Sequence, residues 1–194
     1  CRSDDLLGLA RTGRLGLGST LAERPPSHGH PAYRSAMCLT GRGTYPATKY
    51  GLYMGRVVVH RCGKASVREA GELTGLYAQR LDKRGVTLQT HALSDTRYLP
   101  MIEELTGAVI LLDESGVMMD TDELSVLWSE WKIDSRTSHL VIGPTDGFPE
   151  GFMPKAMRLS LSRMTFTKDL ACAVVMEQLW RLSEIERGSP YHRD

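Results

Sequence analysis

The stretch Tyr191-His192-Arg193, near the C-terminal end, places three side chains of distinct chemistry in consecutive positions. A phenol can stack on a planar group, an imidazole can exchange a proton near neutral pH, and a guanidinium can pair with a phosphate. Together they are suited to holding a planar, polar partner. A solvated chain end without a role would explain the same residues, so both interpretations stay open here.

Glu177 and Arg181 interrupt the apolar segment that precedes this tail. Their spacing of four residues puts them on one face of a helix, where they can form an ion pair. A buried carboxylate is costly unless it is paired and hydrogen-bonded. The pair is therefore either a structural contact or part of a site that faces the loops at the strand ends.

The elements that must position these residues are strands alternating with helices from residue 56 onward. Short apolar runs predict strands in "RVVVH", "VTLQTHAL", "AVILLDESG", "SHLVIGPTDG" and "MRLSLSRMTF". The strand in "AVILLDESG" is expected to end in a turn. Helical spacing predicts helices over "SVREAGELTGLYAQRLDKRG", "LPMIEELTG", "DTDELSVLWSEWK" with its Asp120…Glu123 capping box, and about 168–187. The alternation predicts an α/β fold with a mainly parallel sheet and helices on both faces.

Three loops directly follow apolar strands: "LLDESG", "IGPTDG" and "LSLSRMTF". Parallel sheets bind ligands beyond the carboxyl ends of their strands. Each loop alone is an ordinary turn, and their significance lies in occurring together. The last helix is apolar on nearly every face, which suggests a homodimer that covers what one domain cannot.

The charge of the chain is asymmetric. Residues 1–56 carry eight Lys/Arg against three Asp/Glu, whereas the rest carries sixteen against twenty. This Gly- and Pro-rich segment predicts an extended basic arm over residues 1–55, ahead of a folded domain over 56–194. Its composition resembles an organelle transit peptide, and a polyanion is its natural partner; subunit contacts are the alternative.

The amino-acid composition also restricts the class of protein to which the chain can belong. With 41% hydrophobic and 24% charged residues, the 194-residue chain is typical of a soluble globular protein, and no apolar run reaches the length of a membrane span. The four cysteines show neither CxxC spacing nor a pattern with histidine, so they predict neither a metal site nor a disulfide framework.

Read in order, "LSLSRMTF", "VVMEQLWR" and "RGSPYHR" resemble the C-terminal signature of the RlmH family. These are SPOUT methyltransferases, which transfer a methyl group from S-adenosyl-L-methionine to N3 of a pseudouridine in large-subunit ribosomal RNA. The resemblance spans about residues 56–194. It implies a C-terminal trefoil knot, which is an exception to the rule against knots, and an active site shared across a dimer.

The resemblance also implies which residues act. The cofactor would lie against Leu112, Gly143 and the loop Leu161, Ser162, Arg163, Met164, Thr165 and Phe166. The active-site positions would be Glu177, Arg181, Tyr191, His192 and Arg193.

The chemistry of methyl transfer suggests individual roles for these residues. We expect His192 to act as base or proton relay, Tyr191 to stack on the target base, and Arg193 to meet phosphate. Glu177 would orient Arg181 or stabilise positive charge.

Three positions depart from the family pattern. Gly143-Pro144 replaces a double glycine, Thr167-Lys168-Asp169 replaces Pro-His-Gln, and Cys172 replaces a basic residue. We expect these changes to affect cofactor affinity, because Pro144 removes one backbone donor.

The first functional hypothesis is an RNA methyltransferase acting on the ribosome or a late assembly intermediate, in an organelle, with the mitochondrion preferred over a chloroplast or a bacterial cytoplasm. The second is a catalytically inactive SPOUT-fold assembly factor or structural component of an organellar ribosome, in which a SPOUT-fold heterodimer could replace the homodimer. The third hypothesis is a small-molecule methyltransferase, but it explains neither the basic arm nor the C-terminal tail.

Overall fold

The structure is a computed structural model that describes residues 55–192. The arm predicted over residues 1–55 and Arg193 therefore fall outside the described residues, apart from Gly55. Strands and helices alternate in the order β1 Val57–Cys62, α1 Arg68–Leu81, β2 Val86–His91, α2 Asp95–Glu103, β3 Ala108–Met118, α3 Thr121–Ile133, β4 Ser138–Ile142, β5 Met157–Ser160 and α4 Lys168–Glu186.

The five strands form one sheet in the order β2-β1-β4-β3-β5, and every neighbouring pair is parallel. This confirms the predicted α/β class. Because all neighbouring strands are parallel, the carboxyl ends of the five strands lie at one edge of the sheet. The strand ends predicted to bind a ligand therefore share one edge of the sheet.

Two apolar clusters pack on the two faces of the sheet. The larger one joins Val57 and Val59 of β1 to α1, α3 and α4, and it includes Trp128 and Met176. The smaller one packs Leu111 and Val141 against α2 and the segment 148–156. Since successive strand residues point to opposite faces, the near-continuous apolar runs of these strands are buried on both sides.

Strand β3 is longer than the sequence predicts. The expected turn at "DESG" is wrong as the end of the strand, because pairing with β5 resumes beyond it and both Leu112 and Val117 lie opposite Leu159. The residues between them form a bulge. A Cβ on Gly116 would lie 2.6 Å from the backbone of Leu159, so only glycine fits this close approach.

Helices α1 and α4 lie side by side and run parallel, since both follow strands of the same sheet. Their starts are joined through Asp169, whose carboxylate accepts hydrogen bonds from the Ser66 and Val67 amides at 2.7 and 2.9 Å. Arg61 of β1 pairs with the same carboxylate at 3.0 Å. Their ends are joined by the Arg84–Glu184 ion pair at 3.1 Å. Within residues 55–192, no helix has the length and apolar character of a membrane span.

Candidate active site

The carboxyl ends of β3, β4 and β5 meet at one edge. Leu112 lies opposite Ile142 of β4 on one side and Leu159 of β5 on the other, and Gly143 follows Ile142 directly. The loop that leaves β5 is tied to β3 by a hydrogen bond from Thr165 Oγ1 to Glu114 Oε2, at 2.7 Å. The three predicted cofactor segments are therefore neighbours.

The loop over residues 161–166 is ordered by its own polar groups. Ser160 Oγ donates to the Ser162 carbonyl at 2.8 Å, and Ser162 Oγ accepts from the Met164 amide at 2.8 Å. Leu161, Ser162 and Phe166 are half-buried, whereas Arg163, Met164 and Thr165 are exposed. Met164 is 70% exposed, so this apolar side chain presents its surface to whatever lies beyond the strand ends.

The turn at Gly143-Pro144 is closed by contacts that do not need the amide that proline lacks. The Pro144 carbonyl accepts from the Gly147 amide at 3.1 Å. A Cβ on Gly143 would lie 3.2 Å from the Phe148 ring, which stacks on Phe152 with ring centroids 5.5 Å apart. A side chain at position 143 would thus require the Phe148 ring to shift slightly, and Pro144 is compatible with the turn.

Glu177, Arg181 and Tyr191 form one cluster, here called the Glu177 cluster. Glu177 Oε1 accepts from Arg181 at 2.7 Å and from the Tyr191 hydroxyl at 3.2 Å, while its Oε2 accepts from Gln178 at 2.6 Å. The Arg181 guanidinium lies 5.1 Å from the centroid of the Tyr191 ring. The carboxylate thereby fixes both the arginine and the tail.

Tyr77 of α1 adds a second hydroxyl to the cluster, 3.4 Å from that of Tyr191. Either hydroxyl can be the donor in this contact. The bond to Tyr77, burial and the charge of Glu177 raise the pKa of Tyr191, so its hydroxyl stays protonated at neutral pH. His192 follows Tyr191 and is half-buried.

The structure separates the predicted residues into two groups within one chain. The cofactor segments lie at the carboxyl edge of the sheet, where α4 begins. Glu177 is the tenth residue of α4, about 14 Å along the helix at 1.5 Å per residue, and the tail lies beyond its far end. One chain therefore carries the predicted cofactor segments and the Glu177 cluster in two separate regions.

Sequence reasoning missed several residues that hold these groups in place. The sequence indicates Tyr77 and Gln178 only as helix residues, although both bond to the Glu177 cluster. It indicates Asp169 only as a departure from the family pattern, yet this residue is 1% exposed and connects α4 to β1 and α1. A charged residue at the second position of a buried helix was the available signal.

Three histidines form a hydrogen-bonded row across β2, β1 and β4. His60 Nδ1 lies 3.0 Å from His91 Nε2, and His60 Nε2 lies 2.9 Å from His139 Nδ1. His139 Nε2 donates to the Thr106 carbonyl at 3.2 Å, which fixes each ring as the tautomer protonated at Nε2. Burial, reinforced by the two neighbouring rings, lowers the pKa of His60 to about 4.

Comparison with known proteins identifies the class to which this fold belongs. The family model described as "Predicted SPOUT methyltransferase" matches residues 56–192. The chain therefore belongs to the SPOUT methyltransferase family, which confirms the predicted resemblance and the prediction of a methyltransferase.

Several similar proteins carry the name ribosomal RNA large subunit methyltransferase H. The chain is 31% identical to that of Paracoccus denitrificans over 131 residues, which are 65% of this chain and 82% of the relative. It is 32% identical to that of Geobacter sp. (strain M21) over 145 residues, 73% of this chain and 86% of the relative. A shorter match to that of Thiobacillus denitrificans is 40% identical over 90 residues, 45% of this chain and 58% of the relative.

Proposed function

We propose that this chain is an S-adenosyl-L-methionine-dependent methyltransferase that acts on large-subunit ribosomal RNA, at N3 of a pseudouridine, on the ribosome or a late assembly intermediate. The names of its relatives support the RNA substrate. The observation that carries the proposal is the pair of half-sites: neighbouring strand ends at one edge, and a fixed carboxylate–guanidinium–phenol cluster on the outer surface of α1 and α4.

The strand-end edge suits an adenosyl cofactor. Leu112 and Leu161 offer half-buried apolar surface, and the loops that follow β4 and β5 offer backbone groups that can read an adenine ring. Bound there, S-adenosylmethionine would supply an electrophilic methyl group on a sulfonium. The exposed side chain of Met164 would help to exclude water from that group.

A two-fold dimer would join the two half-sites. The outer surface of α1 and α4, here called the α1/α4 face, carries four apolar side chains that are 42–47% exposed: Val67, Leu73, Leu76 and Leu170. Glu177 is at the midpoint of the 19-residue α4. If two copies of α4 pack antiparallel about that midpoint, the end of one helix lies beside the start of the other. The tail of one subunit then reaches the strand-end loops of its partner.

In this composite site each residue would have a different role. His192 would accept the N3 proton of the target base, because the unprotonated nitrogen of a neutral imidazole is a proton acceptor. Tyr191 would present its ring to the base, while Arg181, held by Glu177, would offer positive charge to an oxygen of the substrate. Glu177 has its lone pairs engaged by three donors and acts as a positioning residue.

Two further parts of the proposal rest on the sequence. The Arg- and Ser-rich, acid-poor composition of the arm supports a mitochondrial location, although the matched relatives come from bacteria. The trefoil knot implied by the family resemblance stays a prediction.

Isothermal titration with S-adenosylmethionine, followed by transfer of a labelled methyl group to purified large subunits, tests the function. We expect one cofactor site per chain and a single labelled position in the ribosomal RNA. Cofactor binding without transfer to any ribosomal RNA would contradict the substrate. The absence of binding at millimolar cofactor would instead favour the inactive assembly factor.

A further inference from the structure

A basic and aromatic surface adjoins the Glu177 cluster at the end of α1 and α4. We define this basic-aromatic cluster as Tyr77, Arg80, Lys83, Arg84 and Trp180. The guanidinium of Arg80 lies 5.6 Å from the centroid of Tyr77 and 5.7 Å from that of Trp180, and the guanidinium of Arg84 lies 5.5 Å from that of Trp180. Two cations therefore share one indole ring.

The cluster has more positive charge than its own carboxylates neutralise. Arg84 pairs with Glu184, which also accepts from Arg187 at 3.4 Å. Arg80 and Lys83 are exposed, and neither has an ion-pair partner among residues 55–192. Unpaired cations on aromatic surface are costly to cover with apolar protein, but they suit a polyanion whose bases can stack.

The surface is continuous with the proposed active site. Tyr77 belongs to the basic-aromatic cluster, and its hydroxyl also contacts the Tyr191 hydroxyl. Trp180 meets the Tyr191 ring edge-on, with centroids 6.3 Å apart. An RNA strand that enters the proposed active site beside Tyr191 would therefore also contact Trp180 and Arg80.

We propose that the basic-aromatic cluster binds the unpaired RNA that flanks the target nucleotide, with Arg80 and Lys83 on backbone phosphates and the half-buried rings of Tyr77 and Trp180 against a base. This inference rests on the proposed function and assigns its substrate a second contact. Unpaired RNA fits better than duplex, because its bases are free to stack. A second copy of the chain fits less well, because the proposed dimer would set the start of the partner's helices, with their apolar side chains, beside these cations.

Binding of a fluorescein-labelled, twelve-nucleotide oligouridylate to the full chain tests the proposal, with fluorescence anisotropy measured over a series of KCl concentrations. The test variant is Arg80→Gln/Lys83→Gln. Arg136→Gln is the matched control, because this exposed arginine lies beyond α3 and pairs with Asp134. Circular dichroism checks that both variants keep the fold.

We expect the double variant to weaken binding about 10-fold and to lower the slope of log Kd against log salt by about 1.4, or about 0.7 for each lost phosphate contact. Arg136→Gln should bind as the parent does. An unchanged Kd and slope in the double variant would overturn the proposal, as would equally tight binding of a duplex of the same length.

Two measurements separate this inference from the proposed function. Cofactor titration of the parent protein tests the function without reference to RNA. Sedimentation velocity of the double variant tests the alternative occupant: a changed dimer fraction would show a protein interface and overturn the RNA assignment. If the double variant keeps cofactor affinity and dimer fraction but loses oligouridylate, the surface is the RNA contact.

Discussion

At the scale of single residues, the proposed role of Glu177 is to position other groups without touching the reacting atoms. Three donors surround it, from Arg181, Tyr191 and Gln178. Removing its charge would release Arg181 and weaken the anchor of the tail, since charge-assisted hydrogen bonds are the stronger kind. The loss should appear in catalysis more than in folding, because the side chain is half-buried on an outer surface.

Glu177→Gln should lower kcat for methyl transfer about 100-fold, the scale expected when a reacting group is misplaced by about 1 Å. Cofactor affinity should change little, because the cofactor segments lie elsewhere in the same chain. Initial rates with purified large subunits and calorimetric titration measure the two effects. Glu130→Gln, an exposed position on α3, is the control; equal rates for both variants would remove the positioning role.

His60 makes stability depend on pH. The pKa of this ring is lowered to about 4 in the folded chain, while an unfolded histidine titrates near 6.5. Above pH 6.5 His60 is neutral in both the folded and the unfolded chain, so the ring does not lower the free energy of unfolding. As the pH falls from 6.5 towards 4, only the unfolded chain takes up the proton. Stability is therefore lost on acidification through that window.

Urea denaturation should show the free energy of unfolding falling by about 2 kcal/mol between pH 7 and pH 5 from His60 alone. His60→Gln keeps a donor and an acceptor but cannot be protonated, so it should flatten this dependence. If the parent and the variant show the same slope with pH, the histidine row does not titrate as its burial implies.

At the scale of elements, Asp169 organises the starts of two helices. Burial alone raises the pKa of this carboxyl, but hydrogen bonds from Val67 and Ser66 and the charge of Arg61 outweigh it, and the pKa falls below its usual value. The carboxylate acts on the start of α1 as a capping side chain would, although it belongs to α4. It also fixes the point where the loop 161–166 joins α4.

Asp169→Asn should lower the free energy of unfolding by about 3 kcal/mol, because it leaves Arg61 buried without its counter-charge. Urea titration followed by circular dichroism measures this as a lower midpoint with an unchanged slope. Asp134→Asn removes an exposed pair with Arg136 and should leave the midpoint nearly unchanged. Similar midpoints for the two variants would contradict the role of Asp169.

Much of this layout could be predicted from the sequence, since apolar runs, helical spacing and the Asp120–Glu123 box are local signals that the structure reproduces. The bulge in β3 could not be, because it depends on β5 approaching Gly116 from more than forty residues away. The roles of Tyr77 and Asp169 could not be predicted from the sequence either. Their partners come from other elements, and no local pattern encodes them.

At the scale of the whole molecule, the α1/α4 face is the surface that would join the two half-sites in the proposed dimer. Its apolar side chains lie towards the helix starts and its cations towards the helix ends. This polarity suits an arrangement in which a partner subunit covers the apolar part and leaves the basic-aromatic cluster open beside the composite site.

Leu76→Glu should convert the proposed dimer into a monomer and abolish methyl transfer, because it places a charge within the apolar contact. Sedimentation velocity and initial rates measure the two outcomes. Ile133→Glu makes the same chemical change at a position that is 78% exposed on α3, and it should leave both unaffected. A monomeric parent protein, or an active monomeric variant, would contradict the composite site.

The strand order also sets the sequence of events when the chain is made. β1 emerges first, yet its side towards the middle of the sheet stays open until Ser138–Ile142 arrives, some eighty residues later. Pairing at such separation is slow, and an open apolar strand can meanwhile pair with other chains. The nascent domain thus spends most of its synthesis with its central strand pair unmade, and this interval is when a chaperone would be most useful to it.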